Sequence, residues 1–249
     1  MMTRIILSGY SGAMGKTLTL AASERDDVKI VGGVDKHDIS VELRALSKKA
    51  DVIVDFSHPS ALSEVLDVAI DENLSVVLAT TGYDEKDVAA IHEAAKKIPV
   101  FYSGNMSLGI NLMQELCRIA TRVLGGQANF DIEIIEKHHN KKIDAPSGTA
   151  LMLANSISSA LEETPVYEYN RQAKRERRGN NEIGIHAIRG GTIVGEHEVI
   201  FAGQDEILSI SHSAASKSVF AAGALSAAIF IHGKPPGLYA MKDLIGQEG

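Results

Sequence analysis

Cysteine is almost missing from this chain: among 249 residues there is one, Cys117. It lies inside the apolar run Leu112-Met113-Gln114-Glu115-Leu116-Cys117, which excludes an internal disulfide, suits a reducing compartment and makes core packing the thiol's expected task. Long apolar runs are missing too. The opening Ile5-Ile6-Leu7 is too short for a secretory leader, and no later stretch approaches the roughly 18 apolar residues of a membrane span. Positive charge is in deficit, 25 Lys and Arg against 32 Asp and Glu, whereas a phosphate-binding surface needs the opposite balance. No internal repeat is present. The expectation is a soluble, cytoplasmic protein with neither a membrane nor a nucleic acid as partner.

What is present is alternation. Short apolar runs at residues 4–8, 29–34, 51–56, 75–79 and 100–102 read as strands, with helical patterns between them. Pro59 opens one such helix over 61–70, and Asp84 precedes an amphipathic stripe from Val88 to Ala95. A repeated strand-helix unit predicts a buried parallel sheet of the doubly wound kind. From Ser107 the pattern changes. A long helix over 108–124 leads to the alternating strand 130–136, and strands follow at 182–188, 192–201 and 206–211. Gly190-Gly191 and Gly203-Gln204-Asp205 separate these last three, which predicts antiparallel neighbours in an α+β unit. An apolar, alanine-rich helix over 219–231 runs into His232-Gly233-Lys234-Pro235-Pro236. The basic stretch 171–181 is unpatterned and reads as a mobile surface loop, with an anion-attracting flap as the sharper alternative.

The loop Gly9-Tyr10-Ser11-Gly12-Ala13-Met14-Gly15 sits between the first strand and the first helix. Gly9 permits a tight turn, Gly12 lets backbone N–H groups approach a pyrophosphate, and Gly15 allows close helix packing, so the helix N-terminus faces an anion. The spacing is GxxGxxG, a weak motif alone, and its strand-before, helix-after setting raises it. Asp35 lies 20 residues after Gly15, where an acidic side chain accepts hydrogen bonds from an adenosine ribose. Asp35 favours NADH, whereas Lys36 directly after it pairs well with the 2′-phosphate of NADPH, so either cofactor stays open. Ala79-Thr80-Thr81-Gly82 ends the fourth strand, the place for a nicotinamide-side loop.

Polar chemistry gathers at His138-His139-Asn140-Lys141-Lys142, just before Ser147-Gly148-Thr149 and a helix pattern over 150–154. A histidine, with a usual pKa of about 6.5, exchanges protons at neutral pH, and a lysine supplies a proton or a fixed charge. Hydroxyls and backbone N–H groups at the helix start form an anion pocket suited to a small dicarboxylate. Metal binding is not expected, since no cysteine or suitably spaced carboxylate completes a ligand set. From these residues alone, two other readings stay open: another two-domain dehydrogenase, such as one for an amino acid, and a dinucleotide-sensing module that holds nucleic acid through residues 171–178.

In these blocks, together with Asp55-Phe56-Ser57, Asn105, Glu133-Ile134-Ile135-Glu136, Val194-Gly195-Glu196-His197 and residues 220–224, the sequence resembles the 4-hydroxy-tetrahydrodipicolinate (dihydrodipicolinate) reductase family of bacterial lysine and diaminopimelate synthesis. The likeness spans nearly the whole chain, and the block 138–149 is its most specific part. It implies a Rossmann-type α/β domain from residues 1–106 and 217–249, completed by the C-terminal helix. A central α+β domain over 107–216, with a mixed or antiparallel sheet, would bind substrate and build a homotetramer. The resemblance further implies that NADH or NADPH delivers hydride to a cyclic unsaturated imine dicarboxylate. By the same likeness His138 donates and accepts a proton and Lys142 donates one, while His139, Lys142, Ser147, Gly148 and Thr149 hold substrate. Gly9, Tyr10, Ser11, Gly12, Ala13, Met14, Asp35, Lys36, Ala79, Thr80, Thr81, Ser103, Gly104, Asn105 and Met106 map onto cofactor contacts. Three departures stand out: Ala79 where the family often has glycine, Lys217 where arginine is common, and a short stretch between Asp35 and Asp51.

Overall fold

A computed structural model describes residues 2–35, 38–125 and 130–246. It divides into two units, residues 1–108 with 217–249 and residues 109–216.

The first unit is built on β1 (Thr3–Ser8), β2 (Val28–Val34), β3 (Val52–Asp55), β4 (Ser75–Leu78), β5 (Pro99–Tyr102) and β11 (Gly237–Tyr239), in the order β11-β5-β4-β3-β1-β2 with every pair parallel. Its strands are buried on both faces, which is why they read as continuous apolar runs: Ile5, Ile6 and Leu7 all lack exposure. Ile5, Leu7, Val52, Val54 and Val77 pack on one face with Leu18 of α1 (Ala13–Ser23) and the alanines of α7 (Ser218–Ile231). Ile6, Ile53, Val76 and Leu78 pack on the other with α2 (Ile39–Ser47), α3 (Leu62–Asp71) and α4 (Glu85–Ala95). Each such Ile, Leu or Val contributes about 1.5–3 kcal/mol when fully buried.

This is the doubly wound architecture expected, but the C-terminus adds more than a helix. After Pro235-Pro236 the chain re-enters the sheet as β11 and ends in α8 (Met241–Ile245), whose Met241 joins the α1–α7 side of the core. The short stretch after Asp35 holds α2, which begins at Asp38 in the left-handed conformation (φ 52°). Both elements are too short to declare themselves by periodicity.

The second unit comprises α5 (Leu108–Leu124, its first residue still in the first unit), β6 (Asp131–His138), α6 (Gly148–Ser158), β7 (Val166–Glu168), β8 (Glu182–Arg189), β9 (Gly195–Ala202) and β10 (Ile207–Ala214), with the sheet order β10-β9-β6-β8-β7. Strand β6 alternates: Ile132 and Ile134 face α5 and α6, and Glu133 and Ile135 face the open side. The expected antiparallel pairing of β8 with β9 is corrected here. β6 lies between them, parallel to β8 and antiparallel to β9, and only β9 and β10 form a hairpin. The reason lies in Gly190-Gly191. These residues do not close a turn between β8 and β9, because Gly190 N–H donates to His138 O (2.9 Å) and Asn140 N–H to Gly191 O (3.3 Å), carrying the connection across the end of β6.

The basic stretch also departs from a loosely solvated loop. Arg171 pairs with Glu182, Lys174 with Glu168, and Arg178 with Asp131 (2.8 Å) and Glu133 (3.0 Å), so three of its cations are held by acids of this unit. Among the described residues no helix is long and apolar enough to cross a membrane, and no cluster of three or more His, Cys, Asp or Glu could hold a metal ion.

Candidate active site

In the first unit the sheet's chain direction reverses its winding at β1, which has β2 on one side and β3 on the other. Ligands bind at such a point, outside the carboxyl ends of the strands. Gly9 follows β1 with φ +82°, and a Cβ there would lie 2.6 Å from Phe56 O, so no other residue fits. Gly12 caps α1 without any side-chain bond, and the first turn, Ala13 and Met14 included, carries no acid. The N–H groups of that turn thus present unopposed partial positive charge. Gly15 serves differently from expectation: a Cβ there would meet Tyr10 O at 2.3 Å and Gly9 O at 2.4 Å, so it lets the helix pass beneath its own loop. Tyr10 lies over Gly33 of β2.

A cleft of about 800 Å³ opens beside this loop, lined by Gly9, Ser11, Gly12 and Asp35, and by His58 and Glu64, which the sequence reading did not single out. Asp35 accepts the Ser11 N–H at 3.0 and 3.2 Å, which fixes the loop against β2. A glycine turn with close backbone approach, an uncapped helix N-terminus and an acid at the end of β2 fit a dinucleotide. Lys36 lies outside the described residues. A neighbouring groove of about 450 Å³ is lined by Phe56, Ser57, Ala79, Thr80, Thr81 and Gly82. It is organised by Asp55, noted in the sequence only within a family-like block and given no role, which is fully buried. Asp55 accepts the hydroxyls of Ser57 and Thr80 at 2.6 Å each, and Tyr83 OH at 3.4 Å. Burial and the Asp55 charge push the Tyr83 phenol up, keeping it a donor. Beyond β5, Ser103 Oγ donates to Asn105 O (2.8 Å) and Asn105 Oδ1 accepts Ser107 N–H (2.9 Å), while Gly104 is exposed and Met106 buried.

In the second unit the strand runs two residues beyond the expected end at Glu136 and takes in the first histidine. His138 closes β6, two residues from Glu136 and on the same face. Its Nδ1–H donates to Glu136 Oε2 at 2.6 Å. Glu136 has no exposure and also accepts Arg189 Nη1 and Nη2 at 2.7 Å each and the Ser147 N–H at 3.0 Å. Burial pushes its carboxyl up, but Arg189, His138 and the Ser147 N–H outweigh this and hold it below the usual carboxylate range. The His197 ring stands 5.2 Å from that of His138, edge to face. Burial, and then the His138 charge, push His197 down to about 4, so it is a neutral imidazole at pH 7. A Cβ at Gly195 would lie 3.1 Å from His138 Nε2, so the glycine keeps that nitrogen uncrowded.

The other candidates divide. Ser147, the N-cap of α6, accepts the Ala150 N–H (3.2 Å) and meets His197 Nε2 (3.2 Å); only 1% exposed, it organises the helix start from within. Gly148 is exposed and Thr149 half-buried at the head of α6, whose first turn holds no acid. Lys142 pairs with Asp144 (2.9 Å), whose carboxyl it holds low, rather than with either histidine. His139 is half-buried, its Nδ1 closed off without a hydrogen-bond partner. A hollow of about 280 Å³ on the same unit, lined by Lys137, Glu196, Glu198 and Ser211, shares only His197 with this cluster. Arg189 was not expected, and Glu136 and His197 were noted only within family-like blocks and given no role. Glu136 reads in sequence as part of an alternating strand, and Arg189 is 53 residues away from it.

Comparison with known proteins matches both units. Residues 3–106 match the family described as dihydrodipicolinate reductase, N-terminus, and residues 109–245 its C-terminus. A 4-hydroxy-tetrahydrodipicolinate reductase of Caldanaerobacter subterraneus subsp. tengcongensis is 50% identical, the match covering 98% of this chain and 99% of that one. The enzyme of the same name from Clostridium novyi is 48% identical, with 98% of each covered. A solved structure, a dipicolinate-bound dihydrodipicolinate reductase from Paenisporosarcina sp. TG-14, shares the fold with a TM-score of 0.80 at 22% identity, covering 98% of this chain and all of that one (100%). Matched at both units and at about half of its residues by full-length relatives, the chain belongs to the dihydrodipicolinate reductase family and is an oxidoreductase.

Proposed function

We propose that the chain reduces 4-hydroxy-tetrahydrodipicolinate (dihydrodipicolinate) to tetrahydrodipicolinate with NADH or NADPH, in lysine and diaminopimelate biosynthesis, in the cytoplasm and as a homotetramer. The observation that carries the proton chemistry is a buried histidine, His138, with one ring nitrogen engaged by a carboxylate and the other left uncrowded by Gly195. When bound, NAD(P)H supplies hydride from C4 of its nicotinamide. The loop residues Gly9, Tyr10, Ser11, Gly12, Ala13 and Met14 seat the pyrophosphate. Asp35 takes the adenosine ribose, and Ala79, Thr80, Thr81, Ser103, Gly104, Asn105 and Met106 bound the nicotinamide side. Lys36 pairs with a 2′-phosphate.

The substrate carboxylates are held by the N–H groups of Gly148 and Thr149 at the head of α6, with His139 and Lys142 supplying further donors. Ser147 acts by fixing that helix start. His138, carrying protons on both ring nitrogens for this step, hands the Nε2 proton to the reduced ring and Lys142 assists, while Nδ1–H stays hydrogen-bonded to Glu136, so the ring is left as the Nδ1–H tautomer that takes its next proton at Nε2. Removing a general acid of this kind lowers rate by about 10²- to 10⁴-fold. His138→Gln is therefore expected to lose kcat by that order while keeping the affinity for NADH.

Mixing the protein with NADH or NADPH and freshly made substrate tests the activity, because oxidation of the cofactor lowers the absorbance at 340 nm. No change with either cofactor overturns the proposal. KM for the two cofactors in wild type and Lys36→Ala tests the phosphate contact: a rise confined to NADPH supports it, and an equal rise for both sinks it.

A further inference from the structure

Glu136 is a charged side chain with no exposure, and burial without partners would be prohibitive for a carboxylate. Its two oxygens each accept two hydrogen bonds. Oε1 takes the Ser147 N–H (3.0 Å) and Arg189 Nη2 (2.7 Å), and Oε2 takes His138 Nδ1–H (2.6 Å) and Arg189 Nη1 (2.7 Å). Three segments meet on this one group: the end of β6, the end of β8 and the turn into α6. The strand register makes the meeting possible, since His138 and Arg189 are partners across β6 and β8. Arg189 Nη2 also donates to Asp144 O, tying down the residue that pairs with Lys142.

We propose that Glu136, held by the Arg189 fork, is the positioning residue of His138: it fixes the Nδ1–H tautomer and leaves Nε2 as the one ring nitrogen turned to substrate. This rests on the reading of His138 as the group that moves the proton. The geometry specifies what happens if the charge is removed. In Glu136→Gln the amide NH₂ must face Arg189 from one side or the other. At the Oε1 position it would oppose two donors, Arg189 Nη2 and the Ser147 N–H. At the Oε2 position it opposes only Arg189 Nη1 and donates to His138 Nδ1, so the amide settles there. His138 Nδ1 then becomes the acceptor, and the neutral ring carries its proton on Nε2.

The test compares wild type, Glu136→Gln, Glu136→Asp and His138→Gln, measuring kcat, KM, NADH affinity by fluorescence and the ring-nitrogen resonances of ¹⁵N-histidine-labelled protein. Glu136→Gln is expected to keep NADH affinity, to lose kcat by about 10²-fold or more, and to show the His138 protonated-nitrogen signal moved from Nδ1 to Nε2. Glu136→Asp restores a carboxylate and is expected to return the Nδ1–H signal and part of kcat. If Glu136→Gln does not fold, Arg189→Lys takes its place: a single ammonium cannot grip both oxygens, so kcat falls while the carboxylate keeps the Nδ1–H signal. Inactive His138→Gln with Glu136→Gln of unchanged tautomer and near-normal kcat overturns the positioning role alone. Retained kcat in His138→Gln overturns the reading of His138 and the proposal with it.

Discussion

His197 is 5% exposed, beside His138, Glu136 and Lys142 and with His212 on the neighbouring strand. With its pKa pushed down to about 4 by burial and by His138, it stays neutral in the folded chain where an unfolded histidine, near 6.5, takes up a proton. The unfolded state thus binds more protons between about pH 6.5 and 4, and stability falls with pH across that window, by at most about 1.4 kcal/mol per pH unit for one group. Urea midpoints measured from pH 7.5 down to 5 should decline, and less steeply in His197→Gln. His212, also pushed down by burial, supplies the slope that remains. An equal slope in both proteins would remove His197 as the cause. Gly195→Ala tests the space beside His138 Nε2: a methyl at 3.1 Å should lower kcat by about 10-fold or more while the melting temperature holds, as expected of small misplacements near reacting groups. At this scale the sequence made His138 and Lys142 visible by their local clustering. It hid the roles of Glu136, Arg189, His197 and Asp55, because a buried polar group is defined by partners that chain distance conceals.

In the proposed reading, helix starts carry the ligand-facing backbone in both units. α1 begins at Gly12 with no capping side chain, and α6 begins at Ser147, whose hydroxyl is bonded on both sides. Gly15→Ala would drive a methyl to within 2.3–2.4 Å of two loop carbonyls, which are backbone and cannot rotate away. The loop must shift, so the variant should lose at least about 10-fold in NADH affinity and about 1–3 kcal/mol of stability. Fluorescence titration and thermal melting measure the two effects, and unchanged affinity would show that the loop geometry does not set the dinucleotide site. Long periodic elements such as α5 were legible to the residue, Leu108–Leu124. The short ones, α2, β7, β11 and α8, were not, since three to nine residues hold too little pattern to exceed chance. The pairing of β8 was misread for a related reason: a double glycine signals a turn but not which strand the turn serves.

Each unit has a core of its own, two layers around the parallel sheet in the first and one behind the mixed sheet in the second. The second unit also shows two apolar surfaces. Ile135, Ile188, Ile200 and Ile207 share the open sheet face by register, and Leu112, Leu116, Ile119 and Val123 line the outer side of α5. A homotetramer built through the sheet predicts that Ile200→Asp breaks the assembly and Leu116→Asp leaves it whole. Sedimentation velocity distinguishes these; loss of the tetramer in Leu116→Asp alone would move the interface to the helix.

The sequence by itself determined the strand-helix alternation, the doubly wound sheet, the glycine loop with Asp35 and the polar block around His138, because each is either a single short segment or a repeat of strand-helix units of about 30 residues whose pattern is local. The tertiary structure alone decided which strand lies beside β6, where the C-terminal residues re-enter the sheet, and what surrounds Glu136. The strand pairings join segments far apart in the chain, and the surroundings of Glu136 depend on groups 50 or so residues apart sharing one desolvated site, since a buried charge is stable only where the fold gathers all its donors at once.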